Sequence, residues 1–304
     1  MSAEFPTHEP LSPADEVRPA VVVLPAVAFE PPFDERRRWL DGRSIETAYV
    51  VPGADSPLYL ADDGVAITTS GLGKAPAAAT IASLFGSAGL DLSETVFLSA
   101  GIAGAPPARA ALGSVFVADA ILDWDRKHRW DPTEVEPTDG DDSAAVEPLA
   151  YLPEASLHEP NSSLVETARD ALESLELASD DAVADYQRRY PTAPDRGPQT
   201  GVGPTITSDE FWHGSSVARE VESLCAAYEI DPYVTTQMED AATAAALARV
   251  DAADRHLSLR AVANYDRPAP GEAVHDSFEG TQESVDLATR NVVRAGEAIV
   301  DSLG

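Results

Sequence analysis

The sequence has little of several residue types, and each shortage excludes a class of protein. Cys225 is the one cysteine among 304 residues, which excludes an intramolecular disulfide. The six histidines are scattered, and no His, Asp or Glu cluster has the spacing of metal ligands. Cys225 lies in the apolar stripe of a helix-like segment, so we interpret it as a small core residue. We therefore expect neither a metal nor a cofactor.

Basic residues are scarce, and only Lys74 and Lys127 are lysines. The 21 Lys and Arg residues face 52 Asp and Glu residues, which gives a formal net charge of −31. Such a surface repels polyanions, so nucleic acid and anionic membranes are excluded as partners. It suits a solution of high ionic strength, where screening removes self-repulsion. We expect the protein to come from a salt-accumulating halophile.

Long apolar runs are also missing. The longest, such as residues 20–29, are far too short to span a bilayer. Residues 1–19 are polar, acidic and rich in proline, without the basic start and apolar stretch of a signal peptide. The sequence predicts a disordered acidic tail over 1–19, followed by one domain over 20–304. It also predicts a soluble, cytoplasmic protein without membrane insertion.

Hydrophobic residues nevertheless make up 44% of the chain, which is enough for a substantial core. Apolar runs without polar alternation, typical of strands buried on both faces, lie at 18–29, 63–71, 94–104 and 113–122. An alanine-rich helix is predicted over 74–89, further strands over 203–212, 233–240 and 256–266, and further helices over 162–177, 238–253 and 284–304. The alternation predicts a three-layer α/β/α sandwich around a central mixed sheet, with an insertion at 126–203.

Five segments at predicted strand ends are candidates for chemistry. They are TTSGLGKAPAAA at 68–79, LSAGIAGAPP at 98–107, ITSDEFWHG at 206–214, TTQMEDAA at 235–242 and LRAVANYDRPAPG at 259–271. Ligands of open α/β sheets bind outside the carboxyl ends of the strands, where glycines allow close approach. Taken singly, each segment also has a plain structural interpretation: a tight turn, two core aromatics, a helix cap or turn chemistry.

The order of these segments resembles the nucleoside phosphorylase/nucleosidase superfamily. Methylthioadenosine/adenosylhomocysteine nucleosidases have the pattern SGIGK-AAA, TGSAGG, SGDAF, DMEA and RAISD. The corresponding segments here are Ser70–Lys74, Ala100–Gly104, Ser208–Phe211, Gln237–Asp240 and Arg260–Asn264.

The chain resembles the family of purine nucleoside permeases more closely still, as a halophilic archaeal-type member. That family is expected to carry WHG, TTQ-ED and NFDRP-PG segments, which correspond here to Trp212–Gly214, Thr235–Asp240 and Asn264–Pro268. The resemblance covers nearly everything from residue 20 to 300. It implies a nucleoside phosphorylase-like fold and a homo-oligomer.

The resemblance also implies roles for the base-binding residues. Phe211 would stack on the purine, and the backbone near Trp212 would hold the edge of the base. Ala103 and Gly104 would lie beneath the base. His213 is a further candidate, although a lone histidine is more often a hydrogen-bonded structural residue.

Sugar and leaving-group roles follow in the same way. Met238 and Glu239 would hold the ribose, with Glu239 accepting from its hydroxyls. Asn264 occupies the position that protonates or hydrogen-bonds the departing purine, and its amide favours a 6-oxopurine such as guanine or hypoxanthine. Asp266 is the alternative acid two residues on.

The nucleophile is less well defined because the sequence departs from the phosphorylase pattern. The phosphate or nucleophile region corresponds to Ser70, Gly71 and Ser99, where phosphorylases would have an arginine near Ser99. Glu30 lies near the glutamate that orients water in the nucleosidases. Of the nearby arginines, the run at 36–38 is readily explained as a solvated helix face.

The resemblance therefore implies an enzyme that cleaves the N-glycosidic bond of a purine nucleoside. Phosphorolysis of a 6-oxopurine nucleoside, with inorganic phosphate as co-substrate, is the first interpretation. Phosphate-independent hydrolysis is the alternative. A nucleoside-binding or transport component without turnover is a further alternative, which would need Phe211 and Glu239 but not Asn264.

Overall fold

The computed structural model describes residues 5–30, 33–131, 133–134, 145–149, 151, 156–278 and 280–303. Its helices are α1 (Glu35–Asp41), α2 (Lys74–Phe85), α3 (Ser162–Leu172), α4 (Asp181–Gln187), α5 (Ser215–Ala227), α6 (Asp240–Ala248) and α7 (Gln282–Leu303). Short 3₁₀ turns cover Ala253–Arg255 and Val274–Asp276.

The strands of the N-terminal half are β1 (His8–Pro10), β2 (Val21–Leu24), β3 (Ile45–Val50), β4 (Leu58–Ala61), β5 (Val65–Ile67), β6 (Val96–Ala105), β7 (Val115–Val117) and β8 (Ile121–Asp123). Those that follow are β9 (Lys127–Arg129), β10 (Val146–Pro148), β11 (Leu157–His158), β12 (Thr200–Val202), β13 (Thr205–Thr207), β14 (Thr235–Gln237) and β15 (His256–Tyr265).

The central mixed sheet divides at β6. One wing, in the order β1-β3-β4-β5-β2, joins β6 in parallel along residues 96–99. A second wing, β14-β13-β8-β11, meets the same edge of β6 at the single pair Thr236 and Gly104. On its other edge β6 pairs with the long strand β15, which continues to β7 and β12. The carboxyl-terminal half of β6 thus lies where the two wings separate.

Helices cover both faces of this sheet, and β2 shows why its sequence is apolar throughout. Val21 and Val23 belong to the core beneath α1, α3 and α7. Val22 and Leu24 belong to the core beneath α2 and α6. Because successive residues of a strand point to opposite faces, a strand between two helical layers needs apolar residues at every position. The predicted three-layer α/β/α sandwich around a mixed sheet is confirmed.

Some elements differ from the sequence prediction. Residues 8–10, within the predicted tail, form β1 and pair in parallel with β3, and Val17 forms a bridge with Leu90. The predicted strand 113–122 is two strands, β7 and β8. The predicted insertion at 126–203 adds strands to the sheet, since β11 pairs with β8 and β12 with β7. Residues 1–4, 132, 135–144, 150 and 152–155 of the tail and insertion lie outside the described residues.

Candidate active site

A cavity of about 290 Å³ opens where the two wings of the sheet separate. Its wall combines the ends of β2, β6, β13, β14 and β15 with side chains from the neighbouring loops and from α1 and α7. The lining residues are Ala26, Val27, Phe29, Phe33, Glu35, Leu72, Ile102, Ala103, Gly104, Ser208, Glu210, Phe211, Trp212, Thr236, Gln237, Met238, Glu239, Arg260, Ala263, Asn264, Asp266, Phe278, Val285 and Thr289.

Glu35 is an acid of the cavity whose carboxylate is held by backbone N–H groups. It lies in the first turn of α1, which Asp34 caps by accepting from Arg37 N–H. Oε2 of Glu35 accepts from the backbone N–H of Ala26 at 2.7 Å, and Oε1 accepts from Ile102 N–H at 2.7 Å. Burial raises the pKa of this carboxyl, against the opposing effects of these donors and of a nearby arginine.

Gly101 leaves the space that Glu35 occupies. A Cβ at this position would lie 2.8 Å from Glu35 Oε1 and 2.9 Å from Arg260 Nη1. Contacts that short do not occur for real Cβ atoms, so any side chain here would displace the carboxylate or the guanidinium. The glycine-rich end of β6 therefore serves to bring these two charged groups together.

Arg260 on β15 is shared by buried acids. Its guanidinium bonds both oxygens of Asp240, at 3.0 Å and 2.5 Å, and lies 3.3 Å from Glu239 Oε2. Burial raises the pKa of Asp240, but Arg260 and its hydrogen bonds outweigh that effect and lower the pKa overall. Asp240 therefore takes the larger share of the positive charge, and Glu239 is only partly compensated.

Glu239 lies one residue beyond Met238, which follows β14, and it lines the cavity. Its Oε1 accepts from the backbone N–H of Gly73 at 3.0 Å, at the start of α2. Burial raises the pKa of Glu239 to about 7, although Arg260 and Gly73 N–H act in the opposite direction. A carboxylate with this pKa accepts hydrogen bonds from hydroxyl groups at neutral or higher pH, and Met238 beside it supplies an apolar surface.

The residues predicted to bind the base form another part of the cavity wall. Phe211 is 61% exposed at the cavity mouth and contacts Phe278 edge to face, with ring centroids 5.8 Å apart. Trp212 is buried and packs against Tyr233. Ala103 and Gly104 present a surface without large side chains. This wall accommodates a flat ring.

Asn264 and Asp266, at the end of β15, both line the cavity, but their polar atoms are engaged differently. Nδ2 of Asn264 donates to Phe278 O at 2.8 Å and only weakly, at 3.4 Å, to Tyr265 O. Both oxygens of Asp266 accept hydrogen bonds, one from Tyr233 Oη at 2.5 Å and both from Arg267. Asn264 retains hydrogen-bonding capacity, whereas Asp266 is occupied in holding the loop.

Five sequence-predicted residues do not line the cavity. Glu30 is exposed. Ser70 is buried, and its hydroxyl donates to Gly71 O. Ser99 is buried in β6 and bonds His256 Nε2 at 3.0 Å, and His213 Nε2 lies 2.9 Å from Ser277 Oγ. All the predicted base-binding and ribose-binding residues line the cavity, whereas the predicted phosphate region of Ser70, Gly71 and Ser99 does not.

Sequence reasoning missed two functional candidates, Glu35 and Arg260. Glu35 and Trp39 are four residues apart and both buried, so they share one face of α1. An acid on the apolar face of a helix is a signal that was available in the sequence. Arg260 lies mid-strand in a run of apolar residues, which is a second signal of the same kind.

Two further properties concern the described part of the chain only. No group of three or more His, Cys, Asp or Glu side chains in these ranges is arranged to hold a metal ion. No helix there combines the length and the hydropathy that crossing a bilayer requires.

Solved structures define the class of fold. The chain aligns with a 5'-methylthioadenosine/S-adenosylhomocysteine nucleosidase from Neisseria meningitidis with a TM-score of 0.61 and 19% identity, covering 94% of this chain and 99% of that one. Futalosine hydrolase of Helicobacter pylori aligns with a TM-score of 0.59 and 17% identity, covering 94% and 98%. The fold is therefore that of the nucleoside phosphorylase/nucleosidase class.

Within that class, residues 18–303 match the family model described as purine nucleoside permease, NUP, and the chain belongs to this family. A Schizosaccharomyces pombe protein described as "probable purine nucleoside permease" is 29% identical, covering 77% of this chain and 74% of the relative. The purine nucleoside permease of Candida albicans is 25% identical, covering 88% of this chain and 72% of the relative.

Proposed function

We propose that this protein hydrolyses the N-glycosidic bond of a purine nucleoside, giving the free base and ribose. The observation that carries the proposal is the buried carboxylate of Glu35, held by backbone N–H groups and placed beside Glu239 and Arg260. The names of the relatives supply the substrate class, since they refer to purine nucleosides and to nucleosidases.

Water is the nucleophile that this geometry favours. Glu35 has a raised pKa because it is buried, so its carboxylate is a better proton acceptor than an exposed one. In the proposed step the oxygen of water bonds to the anomeric carbon, Glu35 takes the proton, and the bond to N9 of the purine breaks. Glu239 accepts hydrogen bonds from the ribose hydroxyls. As an anion it also stabilises the positive charge of the oxocarbenium-like sugar while the bond to N9 breaks and the bond to water forms.

Phosphate would meet an unfavourable environment in the same place. Among the described residues that line the cavity, Arg260 is the one basic side chain, and Asp240 and Glu239 already neutralise it. The backbone N–H groups of Gly73 and Lys74, which could otherwise bind an anion at the start of α2, donate to Glu239 and Asp209. These contacts support hydrolysis over phosphorolysis.

Asn264 is the proposed contact to the leaving base. Its Oδ1 accepts from the purine N7–H once N7 has taken a proton from a second water, and the hydroxide left behind receives the proton that Glu35 has taken up. The second hydrogen of Nδ2, held only weakly by Tyr265 O, then donates to an oxygen at C6. This pattern supports guanosine and inosine as the preferred substrates.

Product analysis tests the proposal. Guanosine, inosine and adenosine are incubated with the protein in 2 M KCl, with and without phosphate, and base, ribose and ribose 1-phosphate are quantified. Base and ribose in equal amounts, independent of phosphate, are expected. Ribose 1-phosphate formed only with phosphate would establish the phosphorylase instead, and intact nucleoside after prolonged incubation would exclude both.

A matched pair of variants tests the role of Glu35. Glu35→Gln keeps the shape of the side chain but removes the base, and we expect kcat to fall by about 10²-fold or more while nucleoside still binds. Glu30→Gln removes the same charge from an exposed position outside the cavity and is expected to leave kcat unchanged. Equal kcat in the two variants would exclude Glu35 as the base.

A further inference from the structure

Lys74 does not line the cavity, yet its ammonium group contacts two acids beside it. It is the first residue of α2 and follows the glycine turn. Its Nζ lies 2.9 Å from Asp123 Oδ1 and 2.7 Å from Asp125 Oδ2, and its side chain is 19% exposed. One ammonium group thus separates two carboxylates that would otherwise repel each other in a partly buried place.

Asp125 also accepts hydrogen bonds from the segment that precedes Phe211 and Trp212. Its Oδ1 accepts from Ser208 Oγ at 3.1 Å, and its Oδ2 accepts from Asp209 N–H at 2.8 Å. Ser208 Oγ in turn accepts from Glu210 N–H at 2.9 Å. The segment 208–210 is therefore hydrogen-bonded to Asp125, and Phe211 and Trp212 follow it directly.

A reciprocal contact fixes the same segment from the other side. Gly73 caps α2 without a side chain, and Asp209 Oδ1 accepts from the backbone N–H of Lys74 at 2.8 Å. Gly73 has φ of +86°, and a Cβ there would lie 2.8 Å from Asp209 Oδ1, so the approach needs glycine. The adjacent Gly73 N–H donates to Glu239, the proposed ribose ligand. One short turn therefore contacts both the segment that precedes Phe211 and the residue proposed to bind the sugar.

We propose that Lys74 is a positioning residue for the site, whose ammonium group holds Asp125 and, through it, the 208–212 segment that carries Phe211 and Trp212. The inference rests on the proposed function for its consequence in catalysis, but its structural content can be measured without turnover. Burial lowers the pKa of Lys74, but the hydrogen bonds to Asp125 and Asp123 outweigh burial and raise the pKa overall, which favours the charged ammonium.

The first test measures backbone hydrogen exchange of the 208–212 segment. Lys74→Met should speed exchange there by about tenfold, because Asp125 loses its counter-charge and releases the Asp209 N–H. Lys74→Arg, which restores a cation, should recover most of the protection. Arg126→Met is the matched control, since Arg126 is 46% exposed and its Nε lies 3.4 Å from Oδ2 of Asp123, the other acid that Lys74 contacts.

The second test separates binding from chemistry. Lys74→Met and Asp125→Asn should each raise the KM for inosine or guanosine by about tenfold with kcat changed less than threefold. The double variant should be no worse than either single variant, because both remove the same link. A general loss of structure would instead lower kcat and the melting temperature together, without this split and without recovery in Lys74→Arg.

Different results would overturn the positioning role of Lys74 and the proposed hydrolase activity. Exchange of 208–212 that is the same in Lys74→Met as in Arg126→Met overturns the positioning role, whatever the protein does to nucleosides. Absence of cleavage by the unmodified protein overturns the hydrolase, while increased exchange in Lys74→Met would still establish that Lys74 holds the 208–212 segment.

Discussion

The Oε1 oxygen of Glu35 accepts a hydrogen bond of 2.7 Å from the backbone N–H of Ile102, 67 residues further along the chain. This contact joins the first turn of α1 to the carboxyl-terminal half of β6. It can form only because Gly101 has no side chain at this point. The position of the proposed base is therefore set by the backbone of the central strand, which no rotamer change can move.

Gly101→Ala should inactivate the protein without unfolding it. The new Cβ would approach Glu35 Oε1 to 2.8 Å and Arg260 Nη1 to 2.9 Å, so the carboxylate or the guanidinium must leave its present position. We expect kcat to fall by about 10²-fold, as measured by base release, because general bases act only within hydrogen-bond reach. Gly197→Ala is the control, since a Cβ there meets nothing within 4 Å. Equal activity of the two variants would contradict the role of Gly101.

The pH dependence of catalysis should report Glu239. Its pKa of about 7 lies far above the ordinary value of 4.5, so the side chain loses its proton only near neutrality. The ionised form is the acceptor for ribose hydroxyls, and kcat/KM should therefore rise with pH up to about 7 and then level off. Glu239→Gln should lower kcat/KM by about 10²-fold and remove this inflection. An inflection that persists in Glu239→Gln would assign it to another group.

The same group should make stability depend on pH in the opposite direction. Between pH 4.5 and about 7 the folded protein holds a proton on Glu239 that the unfolded chain has released. The free energy of unfolding must then decrease as pH rises through this window. The melting temperature of the unmodified protein relative to Glu239→Gln should fall from pH 5 to pH 8, and a rise would refute the assignment.

Asn264→Asp should shift the preference among bases. The amide can donate to a 6-oxo group, whereas a carboxylate can only accept and therefore favours a 6-amino group. We expect the ratio of kcat/KM for adenosine over inosine to rise by about tenfold to a hundredfold. Asp266→Asn is the comparison, because Asp266 already accepts from Tyr233 and Arg267 and should affect stability more than this ratio. An unchanged ratio in Asn264→Asp would remove Asn264 from the base contact.

Phe211→Ala should weaken substrate binding with little change in the chemical step. The ring is 61% exposed, so its removal costs little folding energy, but stacking on a base contributes about 1–3 kcal/mol. An increase of KM of about tenfold is expected at nearly constant kcat. Tyr151→Ala, which removes an aromatic ring that is 69% exposed and outside the cavity, should leave KM unchanged.

Salt should stabilise the protein through charge screening. With a net charge of −31, repulsion among carboxylates opposes the compact state at low ionic strength. The screening length falls from about 10 Å at 0.1 M to about 3 Å at 1 M, so the melting temperature should rise by about 5 °C or more over this range. KCl and NaCl should act alike, and a melting temperature independent of salt would contradict the halophilic interpretation.

The sequence predicted the parts of this molecule that depend on local pattern. Continuous apolar runs indicated β2, β5, β6 and β15, because strands between two helical layers are apolar at every position. Residues at predicted strand ends, such as Glu239 and Asn264, were assigned to one site because the order of their segments resembles that of the nucleosidases. Short edge strands such as β1 were not predictable, since three residues, His8–Pro10, carry no period.

The nucleophile side was predicted less well because it depends on the path of a loop. The resemblance to the nucleosidases favoured Glu30, but Ala28 forms an antiparallel bridge with Asp34, where the chain returns towards β2. That return places Glu35 against Ala26 N–H, while Glu30 points to solvent. Spacing along a sequence gives no information on where an irregular segment returns to the sheet.

The division of the sheet at β6 also separates two groups of cavity side chains. Glu35 and its backbone donors Ala26 and Val27 belong to the wing of β2, whereas Phe211 and Glu239 follow strands of the other wing. Among the residues that the structure describes, β14 pairs with this edge of β6 at Thr236 and Gly104 alone. Substitutions at Ala26, Val27 or Glu35 would therefore change the surroundings of the proposed base without altering the strands that precede Phe211 and Glu239.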